Sequence, residues 1–472
     1  MRRTIGILLV LALVVAGVAS WHYGLVDRWL DRDQPAPGAD PVTVAPPEGL
    51  ELPPVTAPPA VADATRPGRL SAAAVRQALA PYLVDPDLGG HVLAAVAPLT
   101  GRRPAFVEGT GSAVPASTTK LVTATAALLA LGPDHTFETQ VLRAGPRRVV
   151  LVGGGDPLLA TSPPAPGSDE EAPYPVRADV ADLAAQTAEV LRADGVRQVR
   201  VEYDAGLFTG PEANPDWEPD YVPDGVVSPI TSLWVDSGRV LPGFDRVADP
   251  ALSAASAFAA ALTAAGITVT GAPVPGAAPA SADPVASVTS APLAEIVEHV
   301  LQVSDNEGAE VLLRHVGIAT GGDGSFVAGR RGVVRTLKEA GVDLTGATLY
   351  DGSGLSRRNL MTPRVLLDVL RLAATRPELG SVLTGLPVAG FTGSLALRFE
   401  DAPAEGRGRV RAKTGTLTGV SSLAGVVTDL DGHPMLFVLM SDRVALADTL
   451  DARDALDDAA AALGACHCGA AG

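Results

Sequence analysis

Lysine is nearly missing from this chain: of 36 basic residues in 472, only Lys120, Lys338 and Lys413 are lysine. Arginine holds its proton at ordinary pH, whereas suitable surroundings can make a lysine amine release one. A sequence that avoids lysine keeps it where an amine is chemically required, so these positions are inspected first. The net charge of −17 leaves no basic footprint, and no nucleic-acid partner is expected. Cysteine is limited to Cys466 and Cys468, on either side of His467. Three adjacent ligands do not readily surround one metal ion, so a zinc site is not expected there, and the pair reads as free thiols or a short local disulfide. No Gly-x-Ser-x-Gly occurs, none of the seven histidines has a triad context, and Gly153-Gly154-Gly155-Asp156-Pro157 lacks the third glycine of a dinucleotide fingerprint. His299 and His315 read as helix residues. No cofactor and no metal are expected.

Apolar residues make up 47% of the chain, which is enough for a folded core, and the length allows two or three domains. Met1-Arg2-Arg3 precedes an apolar run from Thr4 to Ala19, followed by Trp21, Tyr23 and Trp29. Charge followed by an apolar run is an export signal, and the aromatic residues suit an outer membrane interface. Residues 1–32 are therefore expected to form a cleaved signal peptide or an uncleaved membrane anchor. The remainder is expected outside the cytoplasm, at the outer face of the bacterial cytoplasmic membrane or in the cell wall. Residues 33–69 hold ten prolines and no aromatic residue, the composition of an extended linker.

Beyond this linker the pattern predicts a helix over 70–82, a strand over 89–98 and an Ala/Leu-rich helix over 117–131 that Gly132-Pro133 stops. Strands over 136–152, helices over 177–194 and 249–265, and strands over 197–203 and 267–270 follow. Next come helices over 292–303, 306–318, 328–340 and 362–376. Strands over 408–413, 417–428 and 433–441 and a closing helix over 447–463 complete the chain. Helices followed by an antiparallel meander, with a helical opening far upstream, predict an α+β catalytic domain interrupted by a mixed α/β insert. The expected boundaries are 70–136 with 290–465 for the catalytic domain, 137–289 for the insert and 466–472 for a tail.

Two of the three lysines fall in short motifs. Ser117-Thr118-Thr119-Lys120 opens the Ala/Leu helix, and residues three apart on a helix share a face, so hydroxyl and amine can approach. Serine needs a neighbouring base to act as a nucleophile, and a buried lysine at a helix start is suited to that role. Ser304-Asp305-Asn306 lies between two predicted helices, where serine can relay a proton and asparagine can hold an amide. Taken alone it also describes a capping turn. Lys413-Thr414-Gly415-Thr416 lies in a strand-like run, where a lysine and threonines can bind a carboxylate and a glycine leaves room for a substrate backbone at the strand edge.

In this order the three motifs are the signature of serine β-lactamases and penicillin-binding proteins. Ser304 follows Lys120 by 184 positions, far more than a compact β-lactamase would place there. The chain resembles the D-Ala-D-Ala carboxypeptidase/endopeptidases among the low-molecular-mass, class C penicillin-binding proteins, which carry an insertion at this point. Further matches are Gly153–Pro157, Asp204 with Phe208, Gly210 and Pro211, and the run Asp351–Arg357, which is expected to support the active site from beneath. The resemblance implies a β-lactamase/transpeptidase-like fold with an acyl-enzyme mechanism on peptidoglycan stem peptides. Ser117 would be the nucleophile and Lys120 its base. Ser304 would link Lys120 to Lys413, and Asn306 would hold the acyl side chain. Lys413, Thr414, Gly415 and Thr416 would bind the substrate, with the backbone N–H groups of Ser117 and Thr416 as the oxyanion hole. β-Lactams would be covalent inhibitors. The rival expectations are a β-lactamase or esterase on this fold, or a catalytically weak wall-binding scaffold.

Overall fold

The computed structural model describes residues 68–470 apart from 102, 164–173, 241–242 and 244. The expected signal segment at 1–32, nearly all of the linker and residues 164–173 of the expected insert lie outside the described residues. No described helix is long and apolar enough to cross a membrane.

Two sheets organise the described residues, which fall in one compact unit. The first is antiparallel, with strands β1 (Val92–Pro98), β2 (Phe106–Glu108), β9 (Val410–Leu417), β10 (Val420–Thr428) and β11 (Pro434–Ser441) in the order β2-β1-β11-β10-β9. β1 pairs with β11 from Val92–Ser441 to Pro98–Met435, so the first strand of the fold lies against its last. Alternation of side chains buries both faces. Leu93, Ala95, Leu436, Val438 and Met440 enter one core, while Ala94, Val96, Met435, Phe437 and Leu439 enter the other. That is why Pro434–Ser441 reads as a continuous apolar run rather than an alternating one. Fully burying each large side chain is worth about 1.5–3 kcal/mol.

The second sheet holds β3 (Glu138–Gly145), β4 (Arg148–Val152), β5 (Gln198–Asp204), β6 (Thr268–Val269), β7 (Val274–Pro275) and β8 (Asp283–Thr289). Its main path is β6-β5-β4-β3-β8, with β7 also pairing β5. β4, β5 and β6 run parallel, while β3 is antiparallel to β4 and β8. The parallel neighbours require crossovers, which two helices in this stretch supply. Each starts at an aspartate cap, Asp179 on Leu183's turn and Asp249 ahead of Pro250. This sheet lies wholly within the middle stretch of sequence, but Phe208, Trp217, Ile230 and Trp234 from that stretch pack into the first core.

The helices are α1 (Ala72–Leu79), α2 (Thr119–Leu131), α3 (Val180–Ala193), α4 (Pro250–Ala264), α5 (Leu293–Gln302), α6 (Asn306–Ala319), α7 (Phe326–Glu339), α8 (Pro363–Thr375), the single turn α9 (Ser381–Thr384) and α10 (Thr449–Gly464). α1 and α10 cover one face of the first sheet, while α2, α5, α6 and α8 fill the other core. α2 is buried continuously from Thr119 to Leu128. Its run of Thr, Ala and Leu has no polar face because it has no solvent-facing side. His299 and His315 lie in α5 and α6.

Two expectations need correction. β9 continues from Val410 to Leu417, and the chain turns at Thr418-Gly419, so no break separates Lys413 from a strand starting at 417. Residues 466–470 are not a free tail. Leu70 bridges Gly469, Ser71 N–H donates to the Cys468 carbonyl at 2.8 Å, and Cys466 and Cys468 form a disulfide.

Candidate active site

Ser117 lies in a 3-10 turn, Ala116–Thr118, that feeds directly into α2. Ala116, just before it, has φ 48°, a left-handed conformation costing an alanine about 1–2 kcal/mol. Packing behind the turn holds it there: Thr118 Oγ1 and Ser422 Oγ both donate to the Pro115 carbonyl, at 2.7 and 2.6 Å. Gly354, at φ 88°, closes over it so tightly that a Cβ there would sit 1.9 Å from the Ala116 carbonyl oxygen. Gly415 is constrained in the same way. A Cβ on it would come within 2.2 Å of Ser422 Oγ and 2.6 Å of the Pro115 carbonyl oxygen. The glycine of this motif is therefore required by the chain's own turn, whatever room it also leaves a substrate.

Lys120 is fully buried at the start of α2, and its Nζ donates to Ser117 Oγ at 2.9 Å, Asn306 Oδ1 at 2.8 Å and the Ser353 carbonyl at 2.8 Å. Burial pushes this amine down to about 8, against the upward pull of Asp351, Asp305, Glu310 and Glu307. A base with that value can take a hydroxyl proton near neutrality.

The Ser304–Asn306 turn does two jobs at once. Asp305 caps α6, accepting the Gly308 N–H at 3.0 Å, while Ser304 is held at φ 59°. Ser304 Oγ accepts from Lys413 Nζ at 2.8 Å, and that amine also donates to the Thr414 carbonyl at 2.8 Å. Ser304 therefore contacts Lys413, and Asn306 rather than Ser304 bonds Lys120. Asn306 Nδ2 in turn donates to the Val226 carbonyl at 3.2 Å. Lys413 is fully buried, and its pKa is pushed well down by burial first, then by Lys120 and Arg398. Thr414 Oγ1 is 2.9 Å from Ser394 Oγ, and Thr416 is exposed. β9 is the edge of its sheet, and the outer-edge backbone contacts among the described residues stop at Ala412, which donates to the Pro387 carbonyl. From Lys413 to Leu417 that edge is open beside Ser117. A cleft of about 680 Å³ continues from Thr416 along Glu218, Tyr221, Val226, Arg357 and Thr418.

The expected support beneath the site by Asp351–Arg357 is present, but sequence reasoning missed its partners Trp217, Glu310 and Asn359. Asp351 accepts the Gly354 N–H at 2.9 Å, Asn359 Nδ2 at 2.6 Å and Trp217 Nε1 at 3.0 Å. Glu310 accepts the N–H groups of Gly352 and Ser353, at 3.0 and 2.7 Å. These bonds aim the Ser353 carbonyl at Lys120. Both carboxyls are fully buried and shifted upward by that burial, Glu310 to about 8. Glu307, also buried, accepts the Ser228 N–H and the Arg246 guanidinium, tying the 226–246 stretch to the residue next to Asn306. The only hint in the sequence was that Asp351–Arg357 would support the site from below.

The fold is a β-lactamase/transpeptidase-like domain, and on it the Ser117–Lys120 and Ser304–Lys413 contacts set two serines beside two buried amines, the arrangement of a serine hydrolase. The D-Ala-D-Ala carboxypeptidase 3 (S13) family profile matches residues 75–246 and 241–463, and the chain belongs to that family. It is 38% identical over 479 residues to Carboxypeptidase DacB of Mycolicibacterium smegmatis, covering 98% of this chain and 96% of that one. It is 32% identical over 447 residues to the D-alanyl-D-alanine carboxypeptidase of Actinomadura sp., covering 79% and 82%. The crystal structure of penicillin binding protein 4 from Haemophilus influenzae shares the fold, with a TM-score of 0.63 at 22% identity over 82% of this chain and 98% of that one.

Proposed function

We propose that the chain is a serine-type D-alanyl-D-alanine carboxypeptidase/endopeptidase acting on peptidoglycan stem peptides through an acyl-enzyme on Ser117. The observation that carries this reading is the buried Lys120 amine, 2.9 Å from Ser117 Oγ and lowered to about 8. The stem peptide would lie extended along the open edge of β9 from Lys413 to Leu417, with its terminal carboxylate near Lys413, Thr414 and Thr416. Its side chains would extend into the cleft lined by Glu218, Tyr221 and Arg357.

In acylation Lys120 takes the Ser117 proton as Oγ attacks the carbonyl of the penultimate D-Ala. The backbone N–H groups of Ser117 and Thr416 receive the developing oxyanion, a contribution of several kcal/mol when donors are fixed in advance. The C–N bond then breaks, and the departing D-Ala amine takes a proton from Ser304 Oγ, which the Lys413 ammonium re-protonates across their 2.8 Å contact. Water hydrolyses the ester and frees Ser117: the attacking water gives its proton back to Lys413 through Ser304, and Lys120 returns its proton to Ser117 Oγ. Asn306, held between Lys120 and the Val226 carbonyl, fixes the amine and borders the acyl chain. A β-lactam presents the same carbonyl and carboxylate, so it would acylate Ser117 too. Between Asn306 and Lys413 no Glu-x-x-x-Asn supplies the deacylating glutamate of one β-lactamase class, so the adduct should be long-lived.

Such a substrate lies outside the cytoplasm. Met1-Arg2-Arg3 with the apolar run after it supports export, with the N-terminal segment as signal or membrane anchor. Cell fractionation checks this, and recovery in the cytoplasm alone would overturn it. Wild-type protein should release D-Ala from a stem pentapeptide and take a fluorescent penicillin label, and Ser117→Ala should lose both. Wild type that shows neither would support the scaffold reading, and rapid turnover of penicillin would favour the β-lactamase reading.

A further inference from the structure

The far end of β10 and the C-terminal segment build a second cluster of ligating side chains. β10 starts beside the catalytic turn, where Ser422 pairs with Gly415, and runs to Thr428, roughly 20 Å along the strand. The turn that follows carries Asp429, Asp431 and His433, whose ligating atoms all lie within 4.8 Å of one another. His467, between the two disulfide-bonded cysteines, lies outside that mutually close set but touches its exposed edge, with Nδ1 2.8 Å from Asp431 Oδ1.

The cluster is built rather than incidental. Asp429 is fully buried, and its Oδ1 organises the turn by accepting the N–H groups of Asp431 and His433, at 3.0 and 2.7 Å. Its Oδ2 accepts the Cys468 N–H at 3.0 Å, and the Leu430 N–H donates to the Cys466 carbonyl at 3.0 Å. Two glycines clamp the His433 ring. A Cβ at Gly68 would lie 2.4 Å from its Cδ2, and one at Gly469 would lie 2.4 Å from its Cε1. His433 Nδ1 is shielded from solvent and forms no hydrogen bond, although Asp429 Oδ2 lies 3.4 Å away at ion-pair distance. A ring nitrogen shielded from solvent and held in a fixed orientation beside a carboxylate oxygen is a geometry that a cation ligand set requires.

We propose that Asp429, Asp431, His433 and His467 form a structural Zn²⁺ site that ties the β10–β11 turn to the C-terminal segment. Two imidazoles and two carboxylates suit a borderline divalent ion, whereas Ca²⁺ and Mg²⁺ prefer oxygen alone. Tetrahedral bonds of about 2.0–2.2 Å put neighbouring ligand atoms roughly 3.3–3.5 Å apart. The Asp429–His433 spacing of 3.4 Å already meets that, and exposed Asp431 and His467 have the freedom to open from 2.8 Å. The cysteines are not needed as ligands, because their sulfurs are joined to each other. Cys466-His467-Cys468 alone could not surround an ion. The tertiary structure supplies the other ligands from a turn more than thirty residues upstream.

The test uses the non-reduced full chain after chelation and gel filtration, titrated with Zn²⁺. One equivalent should bind, and the Tm should rise with the logarithm of free zinc. Co²⁺ in its place should give visible d–d bands of a tetrahedral site without the thiolate charge-transfer band. The His433→Ala/His467→Ala double variant should lose the zinc-dependent Tm rise. Asp431→Asn, at an exposed position, should weaken binding at least tenfold while leaving the circular dichroism unchanged. Absence of stoichiometric binding in the wild type, or equal binding in Asp431→Asn, would leave only an ion-paired cluster and overturn the proposal. Neither readout depends on catalysis, so the proposal stands or falls separately from the proposed peptidase activity.

Discussion

Lys120 and Lys413 are both fully buried and each touches a serine of the candidate site, yet their surroundings differ in sign. Beneath Lys120 lie four carboxyl groups, Asp351, Asp305, Glu310 and Glu307, which oppose the effect of burial and leave the amine at about 8. Around Lys413 the charges that matter are Lys120 and Arg398, both cations, and they add to burial. Arg398 is itself committed to Asp457 through two hydrogen bonds. The fold thus builds one lysine with anions provided and one with the anion left out. In the proposed function the terminal carboxylate of a D-alanyl peptide, or of a β-lactam, would supply that anion. Its arrival would favour the charged amine at Lys413 and, by repulsion, the neutral amine at Lys120, the form needed for proton abstraction.

Four experiments sharpen or break this comparison, in descending order of effect. Lys120→Ala removes the base and should slow acylation by fluorescent penicillin about 10²–10⁴-fold, measured by stopped-flow or timed labelling. An equal loss in Lys413→Ala would show that the two amines are not specialised. Gly354→Ala should come next, because its methyl group would enter the Ala116 carbonyl and displace the turn carrying Ser117. Overpacking of this kind costs about 1–3 kcal/mol, readable as a drop in urea midpoint together with slower labelling.

Lys413→Ala should act mainly through KM for carboxylate-bearing substrates, weakening apparent affinity roughly ten- to a hundredfold, the worth of about 1.5–3 kcal/mol for a charged hydrogen bond. A peptide amide lacking the terminal carboxylate should lose much less. An equal loss for both substrates would remove Lys413 from carboxylate binding. Smallest is the pH effect. Below about 8 Lys120 carries a proton and cannot accept another, so the acylation rate should rise with pH through about 8. Glu310→Gln removes part of the upward pull and should move this limb to lower pH with little change in its plateau. A limb that does not move would mean that Glu310 acts only by placing the Ser353 carbonyl, consistent with a carboxyl that is itself raised to about 8.

Much of the architecture was legible in the chain because its signals are local. The Ala/Leu run after Ser117 is a helix, the apolar run ending at Ser441 is a strand, and Asp431-Gly432 turns between the last two strands. The pattern-based boundary at 413 cut β9 short, whereas the strand-like reading of Lys413-Thr414-Gly415-Thr416 agrees with its pairing to Ser421 and Ser422. Within the site, Ser117 and Lys120 were readable from spacing alone. The bond from Lys120 to Asn306 was not, because it joins residues 186 positions apart. The glycine of Lys413-Thr414-Gly415 was read as room for a ligand, but its Cβ position faces Pro115 and Ser422, a packing relation that no spacing encodes.

The sequence by itself determined which amines are reserved, Lys120 and Lys413, and that one stands three residues after a serine on a helix. That relation is fixed by the pitch of the backbone. Only the tertiary structure decided what each amine feels. Asp351 and Glu310 lie beneath Lys120 because α6 and the 351–355 turn pack there, and Arg398 lies near Lys413 because α10 holds it. Charge acts through the intervening space and its polarity, not along the chain. Two lysines with the same composition and burial therefore become different reagents only once the chain is folded.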